Sequence, residues 1–422
     1  MNRRYTLNYY SEADKIPQSI IRKAVSSGYM PIPSNLSIYL HIPFCAFKCS
    51  YCAFNTYTHI EHLIPRFVEA LCLEIAFVGA QRPRQPVWTI FFGGGTPSLL
   101  SPEQFRQILE TLHRHFDVAP NTEVTFEANP ADLALGGVRY LAALREVGFN
   151  RISIGMQSAN ANELTLFHRR HNNDDVARSV RSARAAGFDN LNLDLIYGTP
   201  HQTMDSWKNT LEQAVALQPE HLSLYALGVE DGTPMKVWIE RGRLPAPDDD
   251  LTADMYELAT DVLAEADYTQ YELSNWSKPG RECRHNLQYW QNWQYLAFGP
   301  GAHGFAGGVR YAVMLSPQQY IRAMNAPSTA ALSYPRSPAV DQAVEVTHDD
   351  EIAETLIMSL RLLREGLSLT GFRSRFGVDL LTLHGDHLKR AESLGLIQIA
   401  ADHIRLTRAG RMLSNQVFRE FV

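Results

Sequence analysis

The stretch His41-Ile-Pro-Phe-Cys45-Ala-Phe-Lys-Cys49-Ser-Tyr-Cys52-Ala-Phe54 places three of the chain's five cysteines in a CxxxCxxC loop. Three thiolates are one fewer than a cubane 4Fe-4S cluster uses, so a fourth iron would stay open to a small chelating molecule. The spacing leaves two other readings open. Close-set thiolates also suit zinc, with His41 or His59 completing a Cys3His site. A reducing compartment would also keep three thiols that bind nothing. What surrounds the loop decides among the three.

Immediately before it, Leu36–Ile42 reads as a buried strand, the first of six short apolar runs. The others are Val87–Phe92, Glu123–Glu127, Arg151–Gly155, Asn190–Ile196 and His221–Ala226. Helical patterns lie between them at Ile60–Gly79, Pro102–His115, Leu135–Val147, Asp174–Ala186 and Met204–Leu217. Ser101 before Pro102 and Glu103 marks a helix start, and Gly148 and Gly187 stand where helices stop. Strand–helix units in series predict an α/β fold with a parallel sheet and helices outside. In such sheets chemistry gathers at the C-terminal ends of the strands, where the cysteine loop begins.

The rest of the chain narrows the class. At 422 residues it can hold one large α/β domain and a smaller one. A net charge of −6 leaves no electrostatic footprint for nucleic acid. With three cysteines in one loop there is no disulfide framework, which points to a reducing, cytoplasmic setting. No stretch approaches a membrane span, and the N-terminus lacks a signal's apolar segment. Residues 1–35 carry five basic and two acidic side chains and read as an arm packed on the sheet, with a peripheral membrane or partner contact as the alternative.

The large domain is expected over 36–330 and a second one over 331–422. Ile352, Leu356, Leu360 and Leu363 have helical spacing, and shorter helices follow near Leu367–Phe376 and Leu380–Leu394. Leu396–Leu406 reads as a hairpin about Ala400–Asp402, followed by a last helix. Helices followed by a hairpin suggest a winged-helix-like module. It shows no basic recognition face, so the shape does not imply DNA binding.

Polar residues collect at the strand ends. Gly93-Gly94-Gly95-Thr96-Pro97 closes the second strand, and a glycine turn can present N–H donors to a carboxylate. Glu127, Gln157 and Asp194 end or lie in the third, fourth and fifth strands. Carboxylates and amides at one mouth could bind an ammonium group and ribose hydroxyls.

The cysteine loop, the GGGTP turn and these strand-end residues together resemble radical S-adenosylmethionine (SAM) proteins of the coproporphyrinogen-oxidase-like HemN/HemW family. The likeness runs from about Leu36 to the C-terminus. It implies a radical SAM partial (β/α)6 barrel with a HemN-type C-terminal domain. It also implies a 4Fe-4S cluster on Cys45, Cys49 and Cys52 rather than zinc. By motif, Tyr39 and Tyr51 would lie against SAM and cluster, and Gly94, Gly95 and Thr96 would meet the methionine end of SAM. Glu127, Gln157, Arg169 and Asp194 would form the rest of the site, with Arg169 preferred over Arg170 on its spacing from Gln157. Such a site supports reductive cleavage of SAM to methionine and a 5′-deoxyadenosyl radical.

Two branches of the family differ beside the loop. The oxidases read CxxxCxxCxC, whereas Phe54 here resembles the HemW branch. His285-Asn286-Leu-Gln-Tyr289-Trp290 resembles that branch's HNxxYW haem-binding element, with His285 as axial ligand and Tyr289 and Trp290 against the macrocycle. Cys283 could be a second ligand, with a spectator thiol preferred. The branch implies a haem chaperone that hands haem to apo-haemoproteins and does not oxidise coproporphyrinogen; homodimerisation and membrane association are compatible with it. Coproporphyrinogen III oxidation, or haem degradation under anoxia, is the alternative. The 35 residues before the first strand favour that alternative, since oxidases use an N-terminal extension to cover the site.

Overall fold

Six parallel strands, Leu36–Ile42 (β1), Pro86–Gly94 (β2), Asp117–Ala128 (β3), Arg151–Gln157 (β4), Leu191–Tyr197 (β5) and His221–Ala226 (β6), lie side by side in that order in a computed structural model. It describes residues 36–326 and 331–421, so the expected arm over 1–35 lies outside the described residues.

The strands alternate in a way that sets up the site. Ile38, Leu40, Ile90, Phe92, Leu193 and Leu222 are fully buried in the main apolar core, on the side the helices cover. The residues between them face the lumen and, Phe91 apart, are polar or carry a polar tip. Ser37, Thr89 and Glu123 share one level, by pairing of Ser37 with Thr89 and Thr89 with Glu123. Glu127, Ser153, Asn192 and His221 share another. These groups bond to one another, as buried polar groups must: Asn192 Nδ2 donates to Ser153 Oγ at 2.7 Å, and Thr89 Oγ1 to Ser37 Oγ at 2.8 Å.

Aromatic packing fixes the helices to the sheet. Phe105 meets Phe92 and Phe149 with centroids 5.2 and 4.8 Å apart, and Phe149 meets Phe126 at 4.9 Å. Truncating Phe149 to alanine would cost about 3–5 kcal/mol. The helix carrying Phe105, Pro102–His115, starts with a capping box in which Ser101 accepts from Gln104 N–H and Gln104 Oε1 from Ser101 N–H.

Boundaries shift where proline or glycine intervenes. The helix expected from Ile60 begins at Ile64, with Pro65 in its first turn and a 3-10 turn ahead of it. The helix expected from Leu135 starts at Pro130, capped by Asn129, and breaks at Gly137. The larger difference is at the sheet edges. Thr269–Glu272 (β7) and Asn275–Ser277 (β8) extend it beyond β6, with β8 antiparallel to β6. At the other edge Tyr295–Phe298 (β9) runs parallel to β1, followed by His303–Ala306 (β10), Val309–Val313 (β11) and Val340–Glu345 (β12), each antiparallel to its neighbour. The described residues thus form one open twelve-stranded sheet, β12 and β7 being its edges.

The C-terminal segment has its own core, in which Leu356, Leu360, Phe372, Phe376, Leu388 and Ile404 are buried together. Leu367–Ser368 (β13), Ile397–Ala400 (β14) and His403–Leu406 (β15) form an antiparallel sheet beside helices His348–Ser359, Leu369–Phe376 and Leu380–Ser393. The expected hairpin turns at Ala401, whose φ is 50°. Asp402 accepts from Thr370 N–H at 2.8 Å and Ser368 Oγ at 2.7 Å, tying the hairpin to the preceding helix. This is the winged-helix-like arrangement expected.

Candidate functional site

The cysteine loop leaves β1 at the C-terminal mouth of the barrel and is pinned from several sides. Cys45 N–H donates to the Tyr57 carbonyl at 2.9 Å, and Tyr57 N–H to that of Pro43 at 2.8 Å, closing the loop at its base. Ser50, fully buried, donates through its hydroxyl to the Leu166 carbonyl at 2.6 Å and through its N–H to that of Phe167 at 3.2 Å. Tyr51 packs edge-on against Phe167, centroids 5.1 Å apart. Sequence reasoning passed over Ser50; its only signal is its place beside Cys49.

Two side chains from elsewhere address the thiols, Thr96 just past the second strand and Arg169 in the loop after the helix Ala161–Leu166. Thr96 Oγ1 donates to Cys45 Sγ at 3.4 Å, and Arg169 Nη1 to Cys49 Sγ at 3.5 Å. Arg169 Nη2 also donates to the Gly155 carbonyl at 2.7 Å. Arg170 instead pairs with Asp132 at 2.9 Å and lies over the Phe47 ring at 5.3 Å. Of the two arginines, Arg169 is the one at the cysteines.

Burial pushes the Cys45 thiol up to about 11 and raises Cys52 as well. Thiols in such surroundings become ligands when a metal replaces the proton. The donor set bears on which metal. His41 cannot complete a zinc site as it stands: its Nδ1 is 3.1 Å from Tyr39 Oη and its Nε2 3.0 Å from the Asn55 carbonyl. Among the described residues no three His, Cys, Asp or Glu side chains converge as a single-ion site requires. Thiolates on different irons of a cubane stand farther apart than ligands of one ion. Three thiols, with both His41 nitrogens engaged, fit a 4Fe-4S cluster that leaves one iron open.

The glycine turn is held tightly in place. Its amides are spent inside the protein: Gly94 N–H donates to Glu127 Oε2 at 3.1 Å, Gly95 N–H to the Ile42 carbonyl and Thr96 N–H to the Phe44 carbonyl, both at 2.8 Å. The glycines are required by close packing instead. A Cβ on Gly95 would fall 2.6 Å from the Phe44 carbonyl, and one on Gly94 would fall 2.5 Å from the His41 ring, at a φ of 104°.

Glu127 and Asp194 stand nearby on the lumen face. Burial, and then the Asp194 charge, push the Glu127 carboxyl up to about 8. Burial also raises Asp194, whose oxygens accept from Ser153 Oγ at 3.0 Å and Asn192 Nδ2 at 2.7 Å. Paired acids held against ionisation favour a cationic visitor. Gln157 ends β4 with a φ of 65°, a left-handed conformation unusual for its type. A Cβ on Gly155 would fall 2.7 Å from Gln157 Nε2 and 2.9 Å from Arg169 Nη2, so the two side chains lie together over that glycine.

Below this mouth lies a lumen cavity of about 200 Å3, bordered by Tyr39, Glu127, Arg151, Asp194, His285 and Tyr289 among others. His285 is buried with both ring nitrogens engaged, Nδ1 2.7 Å from Thr89 Oγ1 and Nε2 2.9 Å from Tyr289 Oη. Burial lowers it to about 3, so the ring is neutral. Cys283 is a buried thiol raised to about 12, its Sγ 3.8 Å from Glu123 Oε1. Trp290, expected against a macrocycle with His285 and Tyr289, is not on this cavity. It lies under Arg361, 4.5 Å from guanidinium to ring, because it is on the far side of the helix Arg284–Trp290. Arg151, Ser153, Asn192 and Ser223 line the cavity too and were missed. The alternation in Asn192-Leu-Asp194-Leu and His221-Leu-Ser223-Leu is the signal that would have found their face.

The sequence profile of the Radical SAM superfamily matches residues 39–214, and that of the HemN C-terminal domain residues 346–413. The heme chaperone HemW of Mycobacterium tuberculosis is 36% identical over 93% of this chain and 96% of its own. This chain is a radical SAM protein of the HemN/HemW family. The heme chaperone HemW of Bacillus subtilis is 35% identical over 92% of the chain and 99% of its own length. Among solved structures, the radical SAM coproporphyrinogen III oxidase HemN of Escherichia coli superposes with a TM-score of 0.77 over 96% of this chain and 93% of its own, at 23% identity. Membership in this family brings a 4Fe-4S cluster and SAM. No helix among the described residues is long and apolar enough to cross a membrane.

Proposed function

We propose that this chain is a haem chaperone, which binds haem and delivers it to apo-haemoproteins while holding a SAM-coordinated 4Fe-4S cluster. The observation that carries the reading is the pair of relatives, each named a heme chaperone and matched over more than nine-tenths of both chains. Phe54 supports it, standing where the oxidase branch has a fourth cysteine.

In this reading Cys45, Cys49 and Cys52 hold the cluster. Tyr39, Tyr51, Gly94, Gly95 and Thr96, with Glu127, Gln157, Arg169 and Asp194, bind SAM. Bound there, cluster and SAM supply one-electron reductive chemistry at a sulfonium. The residues themselves orient and shield. Thr96 and Arg169 donate to thiolate sulfur, Glu127 and Asp194 offer negative charge to an ammonium and to ribose hydroxyls, and Tyr51 on Phe167 keeps water from the loop.

The test combines two assays on anaerobically reconstituted protein. One supplies SAM, a strong reductant and coproporphyrinogen III, and follows porphyrins and 5′-deoxyadenosine. The other supplies haem-loaded protein to an apo-haemoprotein and follows the acceptor's absorbance. Haem transfer without porphyrin turnover is expected; protoporphyrinogen formed in step with deoxyadenosine would make the chain an oxidase.

A further inference from the structure

We infer that the floor of the barrel lumen is a receptor for a small organic acid, with Arg151 holding the carboxylate. The site lies below the residues assigned to cluster and SAM, and it is independent of the chaperone reading.

Arg151 opens β4, at the end of the sheet away from the cysteine loop. Gln157 closes the same strand at the mouth, about 20 Å further along at the usual rise per residue. The Arg151 side chain is 2% exposed and borders the lumen cavity of about 200 Å3. Its Nε and Nη2 are buried and make no hydrogen bond with the described residues. Thr125, paired with Arg151 between β3 and β4, has a fully buried hydroxyl that is also without a partner among them.

The neighbouring acids are committed elsewhere. Glu123 accepts from the Arg284 and His285 N–H groups at 3.2 and 3.1 Å and from the Cys283 thiol at 3.8 Å. The Arg284 guanidinium stands by the same carboxylate at 3.8 Å. Asp194 accepts from Ser153 Oγ at 3.0 Å and Asn192 Nδ2 at 2.7 Å. Burial works against the charge on Arg151, but Cys283, Glu123, Tyr271 and Asp194 outweigh it through space, so the guanidinium stays charged. It is a buried cation without a hydrogen-bonded counter-ion among the described residues.

That arrangement specifies a ligand. Buried charges and N–H groups are costly unless paired. Nε and Nη2 form one edge of the guanidinium, the edge that meets a carboxylate through two parallel hydrogen bonds. Tyr39 and Phe91, which border the same cavity, stack with centroids 6.3 Å apart and give a short carbon chain an apolar wall. A second carboxylate would meet Glu127 and Asp194, acids that burial already holds against ionisation. The fit is therefore to a monocarboxylate. The distance from the mouth makes a free short-chain acid the occupant, rather than a side chain of a larger molecule.

The experiment follows radiolabelled propionate by equilibrium dialysis against full-length protein with its cluster reconstituted and SAM present. Saturable binding with a dissociation constant on the order of 1 mM or tighter is expected for so small a ligand. Arg151→Met should weaken it by about tenfold or more, and Thr125→Val by a smaller factor. Arg151→Lys keeps the charge but loses the fork, so its affinity should fall between those of the unmutated protein and Arg151→Met. Circular dichroism and cluster absorbance check the fold; if Arg151→Met does not fold, the Lys and Val variants carry the test. Absence of saturable propionate binding in the unmutated protein would overturn the site. Unchanged binding in both Arg151→Lys and Thr125→Val would overturn it too. Inorganic phosphate that competes as well as unlabelled propionate would overturn the carboxylate assignment. Haem transfer enters none of these measurements, so the chaperone reading stands or falls apart from them.

Discussion

Arg169 holds its guanidinium between Cys49 Sγ at 3.5 Å and the Gly155 carbonyl at 2.7 Å, bridging the cysteine loop of β1 to the end of β4. The contact holds the loop against the end of the fourth strand through a charge-assisted hydrogen bond to sulfur. The contact also links the cluster loop to Gln157, which lies over the same glycine.

Replacing Arg169 by leucine should lower iron retained per chain after anaerobic reconstitution by about half or more, because the loop loses its tie to the end of the fourth strand. Arg170→Leu should change iron content far less, because Arg170 meets Asp132 and the exposed Phe47 ring rather than a cysteine sulfur. Iron and sulfide analysis of the reconstituted variants checks both. Equal losses in the two variants would contradict the assignment.

Glu127 gives a pH dependence with a definite sign. Its folded-state value of about 8 lies above the ordinary 4.5, so the folded protein holds this proton more tightly than the unfolded chain. Its stabilising contribution is complete below the ordinary value and is lost as pH rises through about 8. Thermal melts of the cluster-free protein should show that decline from about pH 5 to about pH 8, and Glu127→Gln should flatten it. SAM affinity should run the other way, rising with pH as the carboxylate ionises. A Gln variant with the parental pH slope would refute this.

Glu74 is a buried carboxylate with three donors: Gly299 N–H at 2.9 Å, Tyr320 Oη at 2.7 Å and Ser337 Oγ at 2.6 Å. It fastens the turn leading to His303 onto the helix Ile64–Gly79. Glu74→Ala leaves three buried groups unpaired and should cost about 3 kcal/mol. Chemical denaturation measures this, and a loss within error of zero would show that the turn is held by other contacts.

Trp290 lies against the C-terminal segment, under Arg361. Trp290→Ala removes the surface under Arg361 and should destabilise the protein by about 2 kcal/mol, with faster proteolysis after residue 345. Haem binding should be unchanged. Lost haem binding in a folded Trp290→Ala protein would return this residue to the cargo site.

How far the chain could be read depended on what each segment exposes to water. Strands β1 to β6 were legible because their outward residues, such as Ile38, Phe92 and Leu193, must face helices and so form regular apolar runs. The cysteine ligands were legible because metal chemistry fixes their spacing. Strands β7 to β12 were not, since three to six residues on a sheet edge carry too little periodicity. The lumen was half legible. Glu127 and Asp194 stood out as charges at strand ends, whereas Arg151 and Ser153 opened a run whose apolar partners dominated the reading. His285 illustrates the remaining limit. Its motif names a residue type, but only the surrounding Thr89 and Tyr289 reveal that its nitrogens are taken.

The central claim is that this radical SAM scaffold carries haem rather than oxidising a porphyrinogen. The most direct measurement loads the reconstituted protein with haem, mixes it with an apo-haemoprotein, and follows acceptor absorbance beside a parallel anaerobic reaction with SAM, reductant and coproporphyrinogen III. The account predicts transfer of haem to the acceptor and no protoporphyrinogen. Protoporphyrinogen accumulating in step with 5′-deoxyadenosine, with no haem passed on, would contradict it.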